Sequence, residues 1–112
     1  MSEPRRILHV FGGMDRGGAE TMVMNLYRQV DRREIQFDFA VQTGRRCHYD
    51  SEIESLGGRI FRHPVAVESG WRAYAASFLN NLAEYGPFAA VHSHVHHFSG
   101  FVLHLSQRRG VP

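Results

Sequence analysis

The sequence predicts an α/β fold, a Rossmann-like three-layer α/β/α arrangement around a parallel sheet, and three observations predict it. Short apolar runs alternate with stretches of helical period in the order β-α-β-α-β-α-β-α, which implies parallel strands with right-handed crossovers and helices on both faces. A glycine-rich loop, Gly12 to Gly18, joins the first strand to the first helix. The 112 residues are 43% hydrophobic and 21% charged, enough for one globular domain with a core of its own.

The elements follow in order. Arg6-Ile7-Leu8-His9-Val10-Phe11 is a mostly apolar run stopped by Gly12-Gly13, as a buried parallel strand requires. Ala19, Met22, Val23, Leu26, Tyr27 and Val30 recur at helical spacing, with Glu20 in the first turn, where the helix dipole favours an acid. Ile35 to Val41 alternates like a strand. Tyr49 to Leu56 reads as a short helix closed by Gly57-Gly58, followed by a brief strand at Arg59 to Arg62. Ser69 is placed to cap a long helix whose apolar stripe is Trp71, Tyr74, Ala75, Phe78, Leu79 and Leu82. Gly86-Pro87 stops it, Phe88 to His92 is the fourth strand, and Phe98 to Arg109 the last helix.

Composition excludes several chemistries. All thirteen basic residues are Arg, so no P-loop lysine, Schiff-base lysine or Ser–Lys pair exists. One cysteine, Cys47, excludes a disulfide framework and a Cys-rich zinc module. No window approaches the ~20 apolar residues of a spanning helix. Arg5-Arg6 before Ile7-Leu8 is a poor twin-arginine signal, because His9 and Gly12-Gly13 break the apolar stretch. The expected location is cytoplasmic, with peripheral contact at the inner membrane face as a secondary expectation. The Arg residues are scattered as pairs with acids between them, so no nucleic acid is expected as partner.

Two stretches could carry chemistry. In Gly12-Gly13-Met14-Asp15-Arg16-Gly17-Gly18-Ala19-Glu20, small residues let the backbone approach a ligand, and the helix that follows offers free N–H groups to a phosphate. The spacing fits neither a Walker A loop nor G-x-G-x-x-G, and Val41-Gln42-Thr43 lacks the acid a dinucleotide site wants after its second strand. A loop serving only helix–strand packing is the plain alternative. The second stretch is His92-Ser93-His94-Val95-His96-His97, at the carboxyl end of the fourth strand, the edge where open parallel sheets bind ligands. His92, His94, His96 and His97 partly match the H-x-H-x-D-H zinc run of metallo-β-lactamase-like hydrolases, with His96 in place of the Asp. That reading leaves the glycine loop unused. Alternatively one strand-end histidine bonds a substrate hydroxyl or phosphate, or the histidines are simply solvated. Cys47-His48 has no orienting acid or oxyanion site in view and reads as an ordinary thiol beside a histidine.

Ile7-Leu8-His9-Val10 leading into Gly12-Gly13-Met14 and Gly17-Gly18-Ala19-Glu20-Thr21, then Asn25-Leu26-Tyr27, resembles the opening of GT-B glycosyltransferases of retaining family four. Phe37-Asp38-Phe39, Tyr49-Asp50-x-Glu52-Ile53, Leu56-Gly57-Gly58-Arg59-Ile60 and Val91-His92-Ser93-His94 follow in that family's order. The resemblance runs over the whole chain and is greatest to enzymes of exopolysaccharide and capsule synthesis. It implies two Rossmann-like domains facing a cleft, an N-terminal one largely for the acceptor and a C-terminal one for a nucleotide sugar such as a UDP- or GDP-hexose. It also implies transfer with retention to a saccharide or lipid-linked acceptor, with no bound metal and no cofactor.

Carried over by position, the resemblance makes His94 the catalytic strand-end histidine and His92 a weaker match. Gly13, Gly17 and Gly18 approach the donor diphosphate or the acceptor, and Asp15 and Arg16 line the acceptor side. The family's Glu-x7-Glu segment and basic pair are absent. Gly110-Val111-Pro112 stands where a further strand should begin. The chain is therefore expected to be residues 1–112 of an N-terminal domain truncated before its last strands, inactive alone, without the nucleotide-sugar domain. The competing reading is a stand-alone nucleotide- or phosphate-binding α/β module.

Overall fold

Apolar alternation in this chain serves two buried faces rather than one buried and one wet. The computed structural model describes residues 3–95 and 99–112. Strand β1 is Arg5–Phe11, followed by helix α1 at Gly18–Gln29, β2 at Ile35–Val41, α2 at Asp50–Ser55 and β3 at Ile60–Arg62. A short α3 at Ala66–Ser69, the long α4 at Trp71–Tyr85, β4 at Ala90–Ser93 and α5 at Ser99–Arg108 complete it. The strands form one parallel sheet in the order β3-β2-β1-β4. The chain steps outward from β1 to β3, and then α4 carries it back across to the far side of β1. With crossovers of constant hand, that reversal moves the helices to the other face.

The two cores follow from this. On one face Phe11, Phe37, Phe39 and Val41 pack under Val23, Met24 and Tyr27 of α1 and Ile53 of α2. On the other, Leu8, Val10, Ala40 and Val91 meet Tyr74, Phe78 and Leu82 of α4 with Val102 and Leu105 of α5. Each such side chain contributes about 1.5–3 kcal/mol by leaving water. The three-layer α/β reading therefore holds, and the β1–β2 register pairs Ile7 with Phe37 and His9 with Phe39.

Some details differ from the sequence reading. Ser69 does not cap α4; it ends α3, and Gly70, at φ 97°, stands at the cap. That left-handed backbone suits only glycine without strain. Trp71 is 42% exposed and, though in the predicted stripe, is not core; Asn81 is buried in its place. Met22 and Leu26 are 62% and 54% exposed, while Met24 is buried. The helix is rolled because one flank meets α2, through Thr21 on Tyr49 and Arg28 on Glu52. The opposite flank, toward β4, meets no helix among the described residues. The fourth strand starts at Ala90 rather than Phe88. No helix of the described residues is long and apolar enough to cross a membrane.

Gly58 is where backbone closeness matters most. A Cβ there would lie 2.8 Å from the Phe37 carbonyl oxygen, from Ile53 Cγ2 and from the Tyr27 hydroxyl. The carbonyl belongs to the sheet and cannot yield. Gly58→Ala is expected to cost about 2 kcal/mol through overpacking, read as a lower urea midpoint at unchanged slope; an unchanged midpoint would show that the turn gives way.

Candidate functional site

The order reversal places β1 beside β4, so a crevice opens where both strands end, the usual ligand position of an open parallel sheet. The chain leaves β1 at Phe11 into Gly12-Gly13 and leaves β4 at Ser93 into His94. His94 lies flat on Phe11, with ring centroids 4.2 Å apart and planes within 5°. Its backbone N–H donates to the Val10 carbonyl at 2.9 Å. His92 is exposed, its ring 4.0 Å from that of His94. Beside Gly12, a cleft of about 200 Å³ is lined by Gln42, Val65, Ala66, Val67, Trp71 and Val95. A larger depression of about 390 Å³ at Glu3, Arg5, Arg33, Glu34 and Ile35 lies at the amino end of the sheet, away from the histidines.

A third histidine, His9, joins the two that the sequence singled out. It is paired with His92 across β1 and β4, is 3% exposed, and stands 4.4 Å from the Phe37 ring. Its Nδ1 is 3.2 Å from His94 Nε2. Burial first, and then the neighbouring His94 and His92, push its pKa down to about 3, so it is neutral at ordinary pH. The signal was a lone histidine inside an apolar strand that runs straight into the glycine loop.

The glycine loop is braced rather than open. Asp15 accepts from Arg45 Nη2 at 2.6 Å and from the His48 N–H at 3.0 Å. Those two donors hold its carboxyl down at about 2. Arg16 Nε donates to His48 Nε2 at 3.1 Å, and Met14 is fully buried. A Cβ at Gly13 would meet Cys47 Sγ at 3.0 Å, so this glycine lets the loop close on the segment after β2. A Cβ at Gly17 would meet the Glu20 carboxylate at 2.6 Å, whereas Gly12 and Gly18 face open space. None of the four has a positive φ. The amino end of α1, where a phosphate could have bound, thus already faces a carboxylate of its own chain. Cys47 is buried, and its thiol is pushed up by burial and by Asp15 and Asp50, as expected of an unreactive cysteine.

A metal reading can be weighed on this geometry. Ligand atoms of His9, His92 and His94 all lie within 4.8 Å of one another. However, a metal-bound histidine almost always donates its other ring N–H to a partner, and His9 Nε2 is buried with none among the described residues. His96 and His97, which the zinc run needs, lie outside the described residues. The donor set is therefore a poor one for zinc.

No protein-family model matches the chain, and no solved structure matches it at a significant level. It is similar to two curated proteins. One is a Bacillus subtilis (strain 168) protein named glycosyltransferase EpsF, 47% identical over 111 residues, which are 99% of this chain and 29% of the relative. The other is the capsular polysaccharide biosynthesis glycosyltransferase CapH of Staphylococcus aureus, 31% identical over 101 residues, 90% of this chain and 27% of the relative. The chain spans less than a third of the length of either relative.

Proposed function

We propose that this chain is the acceptor-side part of a GT-B glycosyltransferase that builds a surface polysaccharide, with the nucleotide-sugar domain contributed by residues outside these 112. The observation that carries the reading is the 47% identity maintained over 111 residues to a glycosyltransferase; the capsular relative supports the polysaccharide context. In the reaction, an acceptor hydroxyl oxygen bonds to the anomeric carbon of a UDP- or GDP-hexose as the bond to the nucleoside diphosphate breaks, and the diphosphate leaves with that electron pair and takes up the hydroxyl proton. This chain's own residues form one wall of the cleft. His94, held flat on Phe11, touches a sugar hydroxyl at the crevice, and His92 flanks it. Gly17, beside the Glu20 carboxylate, and Gly18, open to space, face the hydroxyl-rich acceptor. Asp15 and Arg16 set the loop's shape through Arg45 and His48. By itself the chain transfers no sugar.

The test uses the full-length protein carrying this chain, assayed for release of nucleoside diphosphate from a panel of UDP- and GDP-hexoses with lipid-linked saccharide acceptors. His94→Ala is expected to lower turnover about tenfold or more, equivalent to about 1.4 kcal/mol of transition-state stabilisation, with His97→Ala close to wild type. Equal activity of the two variants would remove His94 from the site. Absence of release with every donor would remove the transferase reading.

A further inference from the structure

His9 is buried inside the sheet, yet one of its ring nitrogens meets a ring nitrogen of His94. The contact, His9 Nδ1 to His94 Nε2 at 3.2 Å, joins two imidazoles, so one nitrogen must carry the proton and the other the lone pair. His9 is neutral and therefore holds one ring proton. Were that proton on Nε2, it would be a buried donor with no partner among the described residues. An orphaned buried N–H is rarer and costlier than an acceptor short of one bond. With the proton on Nδ1, the donor is satisfied by His94, and only a lone pair is left unpaired among the rings of Phe37 and Phe39.

A neutral His94 that accepts at Nε2 carries its own proton on Nδ1. The Phe11 ring, parallel at 4.2 Å, fixes the plane in which the imidazole lies, and the His9 contact fixes its rotation within that plane. Two constraints of different kind thus act on the ring, one stacking and one directional, and the directional one selects the Nδ1–H tautomer.

We infer that His9 is a positioning residue, locking His94 as the Nδ1–H tautomer so that it serves its ligand as a hydrogen-bond donor and not as a base. The tautomer follows from this chain alone. Its consequence rests on the reading of His94 as a ligand-touching residue: His94 donates to a sugar oxygen, and the acceptor's proton goes to the leaving diphosphate. It also accounts for the unpaired His9 Nε2, since an unsatisfied buried polar group is an exception that a role in a site explains.

The test begins with long-range ¹⁵N–¹H correlation on the uniformly ¹⁵N-labelled chain at neutral pH. Protonated-type shifts at Nδ1 of both His9 and His94 are expected; a protonated Nε2 on His94 would overturn the inference. Zinc titrated into the same sample should leave both imidazole patterns unchanged at one equivalent. Stoichiometric binding that shifts both would overturn it in favour of a metal site. In the full-length protein, His9→Phe keeps the ring and removes the donor, whereas His9→Asn returns an N–H close to the Nδ1 position. His9→Phe should lower kcat about tenfold with KM little changed, and His9→Asn should recover most of it. Near wild-type activity of His9→Phe, with His9→Asn the weaker variant, would mean that His9 only fills space, and equal loss in both would likewise overturn the positioning role. The readouts separate the two readings: the expected tautomer with no transfer by any donor sinks the function, and a reversed tautomer with an inactive His94→Ala sinks the inference.

Discussion

Asp38→Asn should lower the melting temperature of the chain by about 15 °C, from a loss of about 3 kcal/mol at roughly 5 °C per kcal/mol. Asp38 is completely buried in β2, and its two oxygens take four donors. Oδ1 accepts from Arg6 Nη1 at 2.8 Å, from the Arg59 backbone N–H at 3.0 Å and from Arg59 Nε at 3.2 Å. Oδ2 accepts from Arg59 Nη2 at 2.7 Å. Arg59 in turn bonds the Tyr85 carbonyl at the end of α4 and lies over the rings of Phe61, Tyr85 and Phe88. One carboxylate thus ties β1, β2, the entry to β3 and the end of α4. An amide of the same shape would aim its own N–H₂ at these donors and leave two partly buried guanidinium groups without a counter-charge, which is the costly way to break an ion pair. Asp31→Asn, which breaks an exposed pair with Arg33, should leave the melt unchanged. A fall of only a degree or two for Asp38→Asn, by circular dichroism at neutral pH, would show that the cluster is worth no more than a surface pair. The cluster stands toward the amino end of the sheet, away from the strand-end histidines.

The same aspartate shows what the sequence made legible and what it did not. Ile35 to Val41 is readable as a strand because it alternates, but alternation does not say that both faces are buried. Gln36 and Asp38 stand where a half-exposed strand would show polar residues to water. Instead Gln36 is held by Tyr27 and the Leu56 carbonyl, and Asp38 by two arginines. Periodicity reports which residues share a face; partners distant in sequence decide whether that face is wet. The roll of α1 has the same origin: Met22 and Leu26 fit the apolar period, yet which side of a helix is covered depends on its neighbours, and among the described residues it is the α2 flank that is covered. Ser69 had the chemistry of a cap, but the connection from β3 forms one turn of helix first. The cap falls to Gly70, whose positive φ lets the chain change direction.

The site divides similarly. What was legible is placement: a glycine loop after one apolar strand and a histidine at the end of another both belong to the carboxyl edge of a parallel sheet, and the structure has Gly12-Gly13 and His94 at that edge. The place of His9 was not legible, because nothing in a single strand says which strand will lie beside it. β1 meets β4 only because the chain doubles back after β3, and that crossing brings His9 against His92 and His94. The loop's inner life was also hidden: Asp15 reads as a ligand group by position, while Arg45 and His48, some thirty residues away, make it a brace.

Buried neutral histidines also set how the fold should respond to acid. An imidazole in the unfolded chain titrates near 6.5, whereas His9 in the folded chain is held down at about 3. His63, between Ser77 and Asn81, is likewise lowered, chiefly by burial. Between those values the unfolded state binds protons that the folded state refuses, so stability is full above about pH 6.5 and declines as pH falls toward 3. At pH 4, His9 alone should have withdrawn about 3 kcal/mol, at 1.36 kcal/mol per pH unit, with His63 adding to it. The carboxylates act in a different window. Asp15, lowered to about 2 by Arg45 and the His48 N–H, and Glu52, lowered by Arg28, give stability that is present above their unfolded values. That contribution is lost only as pH falls below about 4 through the folded ones. Decline between pH 6.5 and about 4.5 therefore belongs to the histidines. Urea unfolding of wild type and His9→Phe across pH 7.5 to 4, values bracketing the unfolded imidazole pKa of about 6.5, separates the two contributions. The variant should lose distinctly less stability over that range whatever its stability at neutral pH, because Phe has no proton to gain on unfolding. Parallel profiles would mean that His9 accepts its proton in the folded state, and that the ring is not sealed between Phe37 and Phe39 as the structure has it.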